Sequence, residues 1–140
     1  MNPFSQLEDT VQACIAACHL CHEVCLLTAQ DYDPRLSDKP INRNHFRLIL
    51  SCAEICQTFA NFQGNNSPFQ ARLCQICLEV CEACAVGCER VGGMLACVAA
   101  CRDCAEKCQK MMICQAIRQI EPECNDIPNF NNWLNVAMAY

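Results

Sequence analysis

CQICLEVCEACAVGC, residues 74–88, carries five cysteines spaced three, four, three and four apart. Alternating steps of three and four follow one face of an α-helix. Cys74, Cys77, Cys81, Cys84 and Cys88 therefore form one stripe, each thiol about one turn above the last. A fold built around this helix has to find a place for a row of sulfur.

The same alternation recurs outward in both directions. CVAACRDCAEKC, residues 97–108, sets Cys97, Cys101, Cys104 and Cys108 on a stripe running from Met94 to Met111. CIAACHLCHEVC, residues 14–25, continues Phe4, Leu7 and Val11 with Cys14, Cys18, Cys21 and Cys25. The fourth stripe reads His45, Ile49, Cys52, Cys56, Phe59, Gln63, around CAEIC at 52–56. Punctuation agrees with four helices. Ser5 with Glu8 makes a capping box, and Ser67 with Gln70 makes a second, with Pro68 suited to a first helical position. GNNS ends one helix and Gly92-Gly93 another. QDYDPRLSDKPINRN reads as a long loop. The expected helices are about 5–29, 43–64, 68–91 and 94–120, followed by a short tail over 121–140. Short links after the second and third helices make neighbours antiparallel. The chain is therefore expected to be one all-α domain over 1–140, an antiparallel up-down four-helix bundle. Its stripes face inward and give it a cysteine-lined core.

Composition narrows the function. The chain has 140 residues and a formal charge of −5, with 10 Lys+Arg scattered along it. No basic stripe offers itself to nucleic acid. No apolar run approaches the ~20 residues of a membrane span. MNPFSQLEDT has neither the basic nor the apolar region of a signal peptide, so a cytoplasmic location is expected. The 17 cysteines exceed the roughly 8–10% that marks a thiol-dominated chain. Their odd number and helical setting argue against a disulfide framework. In a reducing cytosol such cysteines more often hold metal.

Five readings of the sulfur compete. Packing alone would waste volume, since cysteine and alanine fill less space than leucine. An iron–sulfur redox centre is the runner-up, although cluster-binding loops wrap their cuboid and a straight helix does not. Zinc on four thiolates carries a net charge of −2, costly when repeated in one dry core. A metal-free thiol redox buffer is the remaining alternative. Copper(I) fits best. It is soft, prefers thiolate and accepts two or three ligands. One Cu⁺ per thiolate is neutral, so a core filled with many ions need not hold a large net charge.

With these four segments the chain resembles the bacterial copper storage proteins, over roughly residues 5–115. The resemblance implies a four-helix bundle binding several Cu(I) ions through core thiolates, a homotetramer of such bundles, and no catalytic reaction. Lacking a twin-arginine signal, the chain is similar to the cytosolic group. It departs from the pattern in helix 2, with only two stripe cysteines and His45 seven residues before Cys52. The link RVGGML also lacks the histidines that cytosolic members tend to place near the last helix.

Chain direction assigns ends to the bundle. One end, called the top here, should gather Cys25, His45, Cys88, Met94 and Cys97. The bottom should gather Phe4, Leu7, Val11, Phe59, Phe69 and Met111, and be apolar and shut. His45 and Met94, a histidine and a thioether, join the fifteen stripe cysteines and Cys114 as candidate ligands. His19 is expected in solvent. His22 is expected in solvent too, although it is one turn from Cys18 and within reach of joining it. Cys124 has no assigned role, and Phe130, Trp133, Leu134 and Val136 should dock on the bundle or a neighbouring copy.

Overall fold

The structure, a computed structural model, describes residues 3–32, 43–65 and 67–120. The expected loop lies mostly outside these residues, as do Cys124 and the tail at 121–140. The Phe4 side chain is also outside the described part. The described residues form four helices and no strand: α1 Pro3–Asp31, α2 Arg43–Gly64, α3 Gln70–Val91 and α4 Leu95–Ile120. Each packs on two neighbours, α1 on α2 and α4, and α3 on α2 and α4. This is the closed ring of a four-helix bundle, with the four stripes meeting inside it.

Local chemistry sets the helix ends, and two differ from expectation. Helix α1 begins at Pro3, ahead of the Ser5–Glu8 capping box, because proline suits a first helical turn. Helix α3 begins at Gln70, two residues after Pro68. Ser67 does not cap it. Its Oγ accepts the N–H of Phe69 at 3.2 Å, and its carbonyl accepts that of Gln70 at 3.2 Å. A tight turn thus consumes the groups that a capping box would use, and the Gln70 side chain is buried instead of reaching back. The α3–α4 link needs both glycines. Gly92 and Gly93 sit at φ 77° and 75°, where other residues are strained. The Gly92 N–H closes α3 on the Cys88 carbonyl at 3.1 Å.

The core is unusual in volume. Among the fully buried side chains of the described residues, only Phe59 and Ile49 exceed cysteine in size. Ile15, Val24, Leu48 and Val80 pack beside the column as half-buried flanks. Leu20, Leu27, Leu50 and Ile76 instead stand exposed, because residues well off the stripe centre fall outside the arc that two neighbouring helices cover. Composition alone also misjudges α1. Leu7–Asp31 has mean hydropathy 1.4 over its most apolar window and is long and apolar enough to cross a membrane, contrary to expectation. The helix is nevertheless two-sided: Cys14, Cys18, Cys21 and Cys25 point into the bundle, while Gln12, His19 and Glu23 line its outside.

Candidate metal centre

All fifteen stripe cysteines are fully buried, and all are free thiols. Their sulfurs form a continuous column. Near the top, Cys88 donates to Cys97 at 3.5 Å, and Cys97 touches Cys25 at 3.8 Å. Midway, Cys21 and Cys101 are 3.8 Å apart, and Cys52 meets Cys81 at 3.7 Å. Lower down, Cys56 meets Cys81 at 3.6 Å and Cys18 meets Cys104 at 3.6 Å. Toward the bottom, the Cys74 thiol donates to the Cys108 carbonyl at 3.3 Å. Within single helices, the pairs Cys21–Cys25, Cys77–Cys81 and Cys97–Cys101 stand at 3.9, 4.0 and 4.0 Å. These are van der Waals contacts between thiols, far beyond the ~2 Å of a disulfide.

The column resolves into overlapping sets of four. Cys18, Cys77, Cys104 and Cys108 have all their sulfurs within 4.8 Å of one another. So do Cys21, Cys25, Cys52 and Cys101; Cys21, Cys56, Cys81 and Cys104; and Cys25, Cys84, Cys97 and Cys101. Each set draws on at least three helices. Four sulfurs this close enclose a single ion. A four-iron cube holds its cysteine ligands on outer corners, further apart than this, so these sets do not fit the iron–sulfur reading.

Electrostatics inside the column favours a cation with each thiolate. Hydrogen bonds from Cys108 and Cys18 bring the Cys14 thiol down to about 5, and those from Cys101 and Cys25 bring Cys97 to about 4. Their neighbours move oppositely. Cys104 is lowered by the thiol of Cys108, and Cys108 is raised by sharing that bond. Cys21 and Cys101 divide the same way. Without metal, one thiolate lives on the S–H of the next, so adjacent sulfurs cannot all ionise. Monovalent cations placed between them remove that conflict.

The top end gathers as expected. His45 is buried on the first turn of α2, with Nε2 3.4 Å from the Cys88 sulfur. Met94 is buried where α4 begins, its carbonyl accepting the Val98 N–H at 3.0 Å. Other residues fall differently. His22 does not join Cys18: its Nδ1–H donates to the Ala53 carbonyl of α2 at 2.7 Å. Phe69 is exposed, because the turn at Pro68 carries it outside α3, and Cys114 is only half-buried. The bottom is not purely apolar. Gln63 and Gln70 are buried there with Phe59 and Met111.

The family model described as "Copper storage protein" matches residues 1–113. The chain belongs to the copper storage protein family. A crystal structure of the Nmul_A1745 protein from Nitrosospira multiformis is 43% identical, with a TM-score of 0.70, covering 76% of this chain and 97% of that one. The Cu(I)-bound copper storage protein BsCsp3 is 30% identical, with a TM-score of 0.65, covering 74% of this chain and 98% of its own. Apo-Csp3 from Bacillus subtilis is 31% identical at a TM-score of 0.62, covering 72% and 97%. The cysteine-rich protein YhjQ of Bacillus subtilis (strain 168) is 33% identical over 109 residues, 74% of this chain and 94% of that one.

Sequence reasoning gave no role at the site to two residues of this copper storage protein. Gly87 lies inside α3, where glycine costs about 1 kcal/mol relative to alanine. A Cβ there would fall 2.3 Å from Cε1 and 2.4 Å from Nδ1 of His45. The missing side chain is the space that the imidazole occupies, and Gly87 is what lets the ring reach Cys88. A lone glycine one residue before a stripe cysteine was the available signal. Gln63 is the second. Its Nε2 donates to the Cys14 sulfur at 3.7 Å, and its Oε1 is buried without a partner among the described residues.

Proposed function

We propose that the bundle is a copper(I) store, in which the ions are cargo held by the fifteen core thiolates and no reaction is catalysed. The observation that carries this reading is the column itself: fifteen free thiols, each fully buried, in sulfur–sulfur contact along its length. Copper(I) takes two or three thiolates. The helical pairs at 3.9–4.0 Å need to open only slightly to reach the ~4 Å and a little more of a two-coordinate ion. Triangles of neighbouring sulfurs suit three-coordination, and bridging thiolates let one ion per sulfur fit. Each ion pairs with one thiolate, displacing a proton wherever the thiol still carries one, and the filled core is neutral. Cys114 sits beyond the column and serves as an outlying ligand. His45 and Met94 form the receiving end.

Two features support the rest of the reading. Exposed Leu20, Leu27, Leu50 and Ile76 supply apolar area for packing of bundles into a homotetramer. Free thiols at every described cysteine suit a cytoplasmic setting.

Anaerobic titration of reduced protein with Cu(I) against a competing chelator tests the reading. Uptake should plateau on the order of 15 ions per chain, one per core thiol. A plateau at one to four ions would mean a discrete site and would end the storage reading. The bundle should also stand without metal, since contacts within and between the helices hold it. Far-UV circular dichroism of the metal-free and loaded forms should nearly superimpose. A large gain of helix on loading would show that copper builds the fold, as zinc builds a zinc finger.

A further inference from the structure

Five sulfur–sulfur distances single out one part of the column. Among Cys21, Cys25, Cys52 and Cys101, the pairs 21–25, 21–52, 21–101, 25–101 and 52–101 measure 3.9, 3.8, 3.8, 3.8 and 3.8 Å. The sixth pair is within 4.8 Å. A regular tetrahedron with these edges has its centre about 2.3 Å from each corner, which is the Zn–S bond length of a four-cysteine zinc site. The ligands come from α1, α2 and α4, and all four are fully buried. We propose that this mid-column tetrad is a preformed tetrahedral site for a divalent thiophilic ion, zinc(II), which occupies the column when copper(I) is absent.

The overlap of the sets fixes how many such ions fit. A tetrahedral divalent ion claims four thiolates for itself. Filling the mid-column tetrad uses Cys21, Cys25 and Cys101, and so breaks both sets that share them. The set of Cys18, Cys77, Cys104 and Cys108 shares none of its members and stays whole. Among the described residues no choice of three sets avoids a shared cysteine, so these sets hold at most two such ions per chain. Charge sets the same direction. Each four-thiolate site is a net −2, and a third such charge in this core would lie against the other two. Copper(I) escapes both limits because its thiolates bridge and its charge balances. The column therefore accepts zinc(II) at two per chain and copper(I) at many, and copper displaces zinc by recruiting the bridging geometry that zinc does not use.

Reduced, metal-free full-length protein is titrated anaerobically with zinc(II) alone against a chromophoric chelator. X-ray absorption is recorded at one equivalent. The expected results are a plateau at two ions per chain and four sulfur neighbours at about 2.3 Å. Two variants separate the overlap argument from general thiol affinity. Cys101→Ala destroys the mid-column set and the upper set, and the two sets left share Cys104. Its plateau should fall from two to one. Cys84→Ala destroys the upper set alone and should keep two. Circular dichroism checks that both remain helical. A wild-type plateau of zero, one, or more than two overturns the proposal, as do mixed sulfur and nitrogen or oxygen ligands. Equal plateaus in the two variants overturn the overlap argument. Copper(I) titration of the same samples is read separately, so this proposal and copper storage fail independently.

Discussion

Phe59→Ala is expected to lower the stability of the metal-free bundle by about 3–5 kcal/mol, while copper-loaded protein of the same variant stays folded. The reason is the makeup of the core. Among the described residues, Phe59 and Ile49 are the only fully buried side chains larger than cysteine, so apolar volume is concentrated in very few residues. A domain holds only about 5–15 kcal/mol in all, so one such truncation removes a large share of it. Copper(I) binds the folded column and not the unfolded chain on the same terms, so each bound ion adds stability by mass action. Urea unfolding of both forms measures the effect. A loss below ~1 kcal/mol in the metal-free form would show that sulfur packing holds the bundle without its aromatic end.

Gly87→Ala should slow copper(I) uptake from a chelate on the order of tenfold, equivalent to about 1.4 kcal/mol of barrier, with final capacity unchanged. The added Cβ would meet the His45 ring at 2.3 Å, and the ring is the movable party, since Gly87 is fixed in helical backbone. The imidazole leaves the Cys88 sulfur, which it approaches to 3.4 Å. Alanine is the better helix former by about 1 kcal/mol, so a fall in stability is not the expected route to the effect. His45→Ala combined with Met94→Ala should reproduce the slowing, because it removes both soft ligands from the same end. Stopped-flow loading with an endpoint titration separates rate from capacity. Normal rates in these variants, with slowing from Gln63→Ala or Phe69→Ala instead, would place the entrance at the bottom.

Much of this was legible along single helices. Steps of three and four placed fifteen cysteines on four stripes, and all fifteen are buried. Antiparallel order placed His45, Cys88 and Cys97 at one end. The misreadings have local causes. Ser67 had the pattern of a cap, but a tight turn captured its hydroxyl and carbonyl. Leu20, Leu50 and Ile76 are as apolar as core residues, which hydrophobicity alone cannot tell apart, but they lie where none of the four described helices covers them. His22 was expected in solvent, but a carbonyl of α2 lies close enough to accept its Nδ1–H.

By itself the sequence determined which face of each helix is sulfur, because helical period is a property of one chain segment and its own backbone. It thereby determined the four-helix fold and the thiol supply of the core. Only the tertiary structure decided which thiols share an ion. The tetrad of Cys21, Cys25, Cys52 and Cys101 joins three helices, and its near-equal edges depend on their relative rotation and height. The same holds for His45 over Gly87. Those offsets follow from how side chains of different size interlock between helices, and a shift of one residue in any helix would turn its stripe by about 100° and dismantle the set.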